Sequence, residues 1–172
     1  MNENLLFDFL KQHNIAYQLF EHQPVFRLED NPVVTAINGI ATISGVIPDP
    51  HFKTLFLKTP KNQFFLVSVM GQKRVDLNEL RKTLMCERFS FGNSQELLDL
   101  LRLTPGSVNP FGLIFDTQNK IRYVLDQEAL AYPQISFHPM RNDMTIVIST
   151  KDFLTCMQAM EHQPQIVVIP VK

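Results

Sequence analysis

The chain has 172 residues, 45% of them apolar and 19% charged, with a formal net charge of −1. These values fit a single globular domain spanning residues 1–172. They exclude a disordered chain and a strongly basic protein that grips nucleic acid through overall charge. Cys86 and Cys156 are too few for a disulfide framework and form no C-x-x-C pair, so both read as reduced core thiols. Met1-Asn2-Glu3-Asn4 lacks the positive start of a secretory signal, and no stretch approaches the roughly 18 apolar residues of a membrane span. The expectation is a cytoplasmic protein with no membrane partner.

In chain order, Leu5, Leu6, Phe9 and Leu10 recur at helical spacing, with Asn2 or Asn4 as cap and Asn14 as terminator. Residues 16–21 alternate like a strand. Asp30-Asn31-Pro32, a capping side chain followed by proline at the first helical position, predicts a helix that Gly39 stops. Residues 40–50, with Gly45, Pro48 and Pro50, read as a loop. Residues 54–58 and 64–69 predict a hairpin around Thr59-Pro60-Lys61-Asn62. Asp76 caps a helix to about residue 84. Asn93-Ser94-Gln95-Glu96 resembles a capping box that opens a helix to about residue 101, stopped by Thr104-Pro105-Gly106. Residues 113–115 and 121–125 predict a second hairpin, and 134–137 with 144–149 a third. Thr150 caps a last helix to about residue 160, and residues 165–171 are strand-like. Hairpins outnumber crossovers, which predicts an α+β fold: a mixed, largely antiparallel sheet with surrounding helices.

Several residues are placed to carry chemistry. Lys53 stands where a proline-rich loop enters an apolar strand, a position from which an ammonium can reach a phosphate or an ester oxyanion; the plain alternative is a solvated lysine. Leu103-Thr104-Pro105-Gly106-Ser107-Val108-Asn109-Pro110-Phe111-Gly112 is a stiff loop in which Gly106 allows close backbone approach, or else an ordinary connection. Phe137-His138-Pro139, with Asn142 and Asp143 beyond, offers a histidine to orient water or bind a sugar hydroxyl, or a merely structural one. His13, His22, His51 and His162 show no metal-site spacing. Between Lys53 and Arg88 eight positive residues (Lys53, Lys58, Lys61, Lys73, Arg74, Arg81, Lys82, Arg88) face three negative ones (Asp76, Glu79, Glu87). This local excess of five suits an RNA backbone or a solvated helix face. No serine lies in G-x-S-x-G, and there is no P-loop or G-x-G-x-x-G, which argues against ATP and NAD chemistry.

Together these segments resemble the YbaK and prolyl-tRNA-editing family. The resemblance rests on Glu21-His22-Gln23-Pro24-Val25-Phe26, Lys53-Thr54-Leu55-Phe56-Leu57-Lys58, Lys73-Arg74-Val75-Asp76-Leu77, Arg88-Phe89-Ser90-Phe91, the 103–113 loop, and His138-Pro139 with Asn142. It runs in order from about residue 3 to 168. Its details are most similar to free-standing alanyl-tRNA(Pro) deacylases, called PrdX-like or ProXp-ala-like. It implies an editing hydrolase that cleaves the aminoacyl ester without metal, cofactor or covalent intermediate. Its partners would be the tRNA acceptor end and, as a candidate, prolyl-tRNA synthetase. By resemblance Lys53, Gly106 and His138 are the catalytic set, and Val33, Ile37, Ile47, Thr54, Pro105, Ser107 and Asn142 contact substrate. Val34, Ile43 and Val46 also fall in the pocket region. The sequence departs from the family at Phe52-Lys53-Thr54, where T-K-N is usual, and at Arg27-Leu28-Glu29-Asp30. A deacylase for tRNA mischarged with cysteine or serine, and a non-catalytic RNA- or protein-binding module, are the alternatives.

Overall fold

Helix α1 (Asn2–Gln12) precedes strand β1 (Gln18–His22) and ends, as its sequence predicts, at Asn14, which takes a left-handed φ of 54°. This computed structural model describes residues 2–22, 34–37, 40–41 and 50–172, with only the backbone for 34–37 and 40–41. Among the described residues, β1 is the middle strand of an antiparallel sheet. On one side lie β2 (Val34–Ile37) and β3 (Ile40–Ala41); on the other lie β9 (Met144–Ser149) and β8 (Gln134–Phe137). A second sheet runs in the order β10 (Gln165–Val167), β7 (Ile121–Asp126), β5 (Phe64–Met70), β4 (Phe52–Lys58), β6 (Ser90–Phe91). Its β4–β5 and β4–β6 pairs are antiparallel, and its β5–β7 and β7–β10 pairs are parallel. The mixed, largely antiparallel α+β architecture expected from the sequence is therefore what forms. A parallel bridge between His51 and Ser136, with Ser136 N–H donating to the Pro50 carbonyl at 3.1 Å, joins the start of β4 to β8 and so links the two sheets.

The larger apolar cluster fills the space below this junction. Phe137 stacks on Phe153 with centroids 5.0 Å apart, tilts against Phe52 at 5.6 Å, and receives Phe111 edge-on at 6.0 Å. Such pairs add to the area each ring buries and fix relative orientation. A smaller cluster, with Leu57, Phe65, Val67, Leu80 and Phe89, lies on the other face of the second sheet under α2 (Leu77–Thr83). Asp76 caps α2 by accepting from the Asn78 and Glu79 N–H groups. Asn93 and Glu96 form the expected capping box at the start of α3 (Ser94–Leu101). Cys156 is buried and Cys86 half-buried; burial pushes the Cys156 thiol up to about 12 and raises Cys86, so both stay protonated and inert.

Four expectations are corrected. Residues 34–37 form a strand, not the helix signalled by Asp30-Asn31-Pro32. Val34, Thr35 and Ile37 are β-branched, and their pairing with β1 outweighs a local cap. Residues 40–41 likewise pair with β2 instead of opening a loop. The second hairpin does not form: Pro110–Phe115 is a 3-10 helix, capped by the Asn109 side chain with Pro110 at its first position, and β7 pairs parallel with β5. Helix α4 (Thr150–Ala159) is capped by Ser149, one residue before the expected Thr150.

Candidate active site

The alternation of β4 separates structure from chemistry. Phe52, Thr54 and Phe56 are buried on the side of the larger cluster, while Lys53 and Leu55 face the opposite way and are half-buried. The same rule holds in β8: Ile135 and Phe137 point into the core and Ser136 to the opposite, likewise buried side, with His138 two residues beyond Ser136 as Lys53 is two residues beyond its bridge partner His51. In β9, Ile146 and Ile148 are core residues, and Thr145 and Val147 lie on the opposite side of the strand, also buried and aligned with Phe20 and Ser136. Hydrogen bonds bind this face together. The Ser136 hydroxyl donates to the Pro50 carbonyl at 3.1 Å, so its 2.7 Å contact with His51 Nδ1 is one in which the imidazole N–H donates. His22 Nε2 lies 2.8 Å from Thr145 Oγ1, and the His22 and His138 rings are 6.0 Å apart.

His138 has a defined protonation pattern. Its Nδ1 is 2.8 Å from the Met144 carbonyl, which can only accept, so Nδ1 carries the proton. Burial lowers the pKa of His138 below its ordinary 6.5; the nearby His22 and His51 push the same way, against the Met144 carbonyl and Asp143. A neutral ring with Nδ1 protonated leaves a lone pair on Nε2, which can accept a proton from water. The turn after His138 is pinned to α1: Arg141 pairs with Asp143 and reaches Glu3 at 3.1 Å, and the His22 N–H donates to the Asp143 carbonyl at 2.9 Å. Asn142 lies half-buried in this turn.

Beyond Lys53 the same face opens into a cleft of about 390 Å³, lined by Lys53, Leu55, Arg74, Asp76, Phe91 and Lys172 among others. The structure sorts the positive residues noted in the sequence. Lys58 pairs with Glu96 at 2.7 Å, Lys61 with Glu87 at 3.0 Å, Lys82 with Glu79 at 2.7 Å, and Lys73 with Asp126 at 2.6 Å and also with Glu128. Among the described residues, Lys58, Lys61, Lys73 and Lys82 are thus held in the ion pairs named; Lys53 and Arg74 line the cleft, joined there by Lys172.

Gly106 has a φ of 88° and occupies the third position of a β-turn closed by Ser107 N–H to the Thr104 carbonyl at 3.0 Å, with Pro105 before it. That turn geometry favours proline followed by a residue of positive φ, which glycine adopts without strain. Pro105 and Gly106 are exposed and Ser107 is buried. Asn109 stiffens the loop, donating to the Ser107 carbonyl at 2.8 Å and accepting from Phe111 N–H at 2.9 Å. Phe111 in turn packs on Phe137, the residue before His138.

A match to the aminoacyl-tRNA editing domain covers residues 31–156. The chain belongs to the aminoacyl-tRNA editing domain family. It is 33% identical over 162 residues to prolyl-tRNA synthetase associated domain-containing protein 1 of Danio rerio, covering 92% of this chain and 83% of that protein. It is 29% identical over 151 residues to the prolyl-tRNA editing protein ProX of Acetoanaerobium sticklandii, covering 87% of each. The crystal structure of the hypothetical protein APE2540 superposes with a TM-score of 0.71 at 16% identity, over 95% of this chain and 97% of that one, a likeness of fold.

In this editing domain the residues singled out from the sequence fall into distinct places. Lys53 and His138 share one face across the β4–β8 junction. Gly106, Pro105 and Ser107 lie on a separate loop, tied to the junction through Phe111 and Phe137. Thr54 is on the other side of β4: its hydroxyl is hydrogen-bonded to Ser68 Oγ at 2.8 Å, Ser68 Oγ in turn accepts from the Tyr123 hydroxyl at 2.9 Å, and the Thr54 side chain points away from Lys53. Ile37 is in β2, paired with Phe20. Val33, Ile43, Val46 and Ile47 lie outside the described residues, as does the 27–30 departure; Val34 is in β2. Sequence reasoning missed His51, Ser136 and Thr145, which need the alternation and register of three strands to be brought to one face. Among the described residues no cluster of three or more His, Cys, Asp or Glu side chains could hold a metal ion, and no helix is long and apolar enough to cross a membrane.

Proposed function

We propose that this editing domain hydrolyses the ester between a mischarged amino acid and the terminal ribose of tRNA, with Ala-tRNA(Pro) as its substrate. The observation that carries the reading is the shared face, on which Lys53 and a His138 with its proton on Nδ1 flank the β4–β8 junction. The relatives' names, which refer to prolyl-tRNA editing and prolyl-tRNA synthetase, support the choice of tRNA(Pro).

An aminoacyl ester is already activated, so orientation and charge stabilisation suffice. Water attacks the carbonyl carbon and gives up a proton to His138 Nε2 or, through it, to the departing ribose oxygen. The Lys53 ammonium stabilises the oxyanion that develops. The acyl C–O bond then breaks, releasing alanine and tRNA with a free ribose hydroxyl. The Gly106 backbone, held open by the Pro105-Gly106 turn, lines the approach of the substrate. The adjacent ribose 2′-hydroxyl helps to orient the water.

Selectivity for alanine over proline follows from exclusion. A methyl group in a pocket contributes only about 1 kcal/mol, whereas overlap with a rigid wall rejects a larger ring outright. Val33, Ile37 and Ile47 are the proposed wall. Hydrolysis of Ala-tRNA(Pro), Pro-tRNA(Pro), Cys-tRNA and Ser-tRNA by wild type and Lys53→Ala tests the reading. Rapid loss of alanine alone, abolished in the variant, is expected. Preference for cysteine or serine would reassign the substrate, and equal slow loss from every substrate with both proteins would remove the catalytic reading.

A further inference from the structure

The cleft beside Lys53 has a composition that ester hydrolysis alone does not require. Phe91 is 60% exposed, although it is a large aromatic side chain on a two-residue edge strand. Its register partner is Leu57, so it faces the same side of the sheet as Leu55 and Lys53. Gly92 fixes the exit of this strand: its N–H donates to the Phe56 carbonyl at 2.9 Å, and a Cβ there would come within 2.3 Å of the Phe56 ring. Arg74 and Lys172 stand at the same cleft and are held side by side by Lys172 N–H donating to the Arg74 carbonyl at 2.9 Å. Neither side chain enters an ion pair among the described residues, in contrast to Lys58, Lys61, Lys73 and Lys82. Among the described lining side chains the one carboxylate is Asp76, whose Oδ1 caps α2 by accepting from the Asn78 and Glu79 N–H groups.

An open aromatic face next to cations without carboxylate partners is the arrangement that binds single-stranded nucleic acid: a base stacks on the ring and phosphates meet the cations. We infer that this cleft holds the single-stranded nucleotides immediately preceding the aminoacylated adenosine, with a base stacked on Phe91 and a phosphate on Arg74 and Lys172. The inference rests on the deacylase reading for its placement of the ester at Lys53, but binding can be tested apart from catalysis. Because the base is recognised by stacking, the cleft accepts the CCA end common to tRNAs without reading sequence. Discrimination among tRNAs would have to arise elsewhere.

Fluorescence anisotropy with a labelled CCA trinucleotide tests the inference directly, using wild type, Phe91→Leu, Phe91→Tyr and Arg74→Gln. Both side chains are exposed, so these variants keep the fold. Phe91→Leu is expected to weaken binding by roughly 10-fold, with Phe91→Tyr near wild type. Arg74→Gln should reduce the slope of log affinity against log salt by about 0.7, the value for one phosphate contact on a single strand. With alanyl-tRNA, KM should rise in Phe91→Leu and Arg74→Gln with kcat unchanged, while hydrolysis of 3′-O-alanyl-adenosine stays at the wild-type rate. If wild type does not bind the trinucleotide, or the Phe91→Leu/Arg74→Gln double variant binds it as wild type does, the inference is overturned. If no ester is hydrolysed but binding follows the expected pattern, the cleft assignment stands and the deacylase reading alone falls.

Discussion

The two ends of β4 carry one lysine each and use it differently. At the far end, Lys58 is held 2.7 Å from Glu96, the carboxylate that also closes the capping box of α3. At the near end, Lys53 lines a cleft beside two more cations and shares its face with three histidines. One strand thus serves as a structural tie at one end and a chemical surface at the other. What separates them is parity: five residues apart, the two side chains emerge on opposite faces. Charge counted along the chain cannot make this distinction.

The largest effect should come from removing what supports the chemical end. Phe137 is 3% exposed and touches Phe52, Phe111 and Phe153, the aromatic neighbours of Lys53, the 103–112 loop and α4. Phe137→Ala is expected to cost about 3–5 kcal/mol in urea unfolding. Loss below 1 kcal/mol would mean that the cluster does not hold the junction together. Next, Lys53→Ala should lower kcat/KM for Ala-tRNA(Pro) by about 10²–10³-fold, the loss typical of an oxyanion-stabilising group. Lys58→Ala should leave kcat/KM within about 3-fold. Similar losses in both would dissolve the contrast between the two ends of the strand.

How far the sequence discloses this contrast depends on the range of the forces involved. Local signals are read well: Asp76 and Asn93 cap the helices they precede, and the β4–β5 pair forms around the turn at 59–62. Failures occur where a distant partner decides. Residues 34–37 become a strand because β1 is beside them, and β7 pairs with β5 across some fifty residues of chain. The site divides in the same way. Lys53 and His138 stand out as polar residues at the edges of apolar strands, and the family resemblance singles out the same two. His51, Ser136 and Thr145 gain meaning only through pairing between strands, and Phe91 reads as an ordinary strand residue until its exposure is known.

The pH profile sharpens the assignment at the chemical end. With its folded pKa below 6.5, His138 is predominantly neutral at pH 7 and gains its proton only as the pH falls through that lowered value. The acid limb of kcat for Ala-tRNA(Pro) should therefore lie below pH 6.5 and vanish in His138→Gln. The same shift affects folding. The unfolded chain binds a proton at this histidine more readily than the native one, so stability falls as pH drops below 6.5 and levels off beneath the folded pKa. An acid limb retained in His138→Gln would move the base to another group on this face.

The smallest expected effect concerns the structural end. Lys58 and the Asn93 N–H lower the pKa of Glu96 below its ordinary 4.5. A depressed carboxylate contributes stability above that value and loses it as pH falls through the folded pKa. Glu96→Gln retains an acceptor for the Asn93 N–H, 2.8 Å away, but loses the charge facing Lys58; Glu96→Ala loses both. At pH 7, Glu96→Ala should destabilise by about 1–2 kcal/mol and Glu96→Gln by about 0.5–1 kcal/mol, as expected for a capping contact plus a partly exposed ion pair. Once the pH falls below the lowered folded pKa of Glu96, both variants should converge on wild type in charge, leaving only the lost cap in Glu96→Ala. Urea midpoints at the two pH values measure the difference. If Glu96→Gln were as costly as Glu96→Ala at pH 7, charge rather than capping would be what fixes this end of the strand. Lys58 would then be more than a tether, and its contrast with Lys53 would be one of partner rather than of purpose.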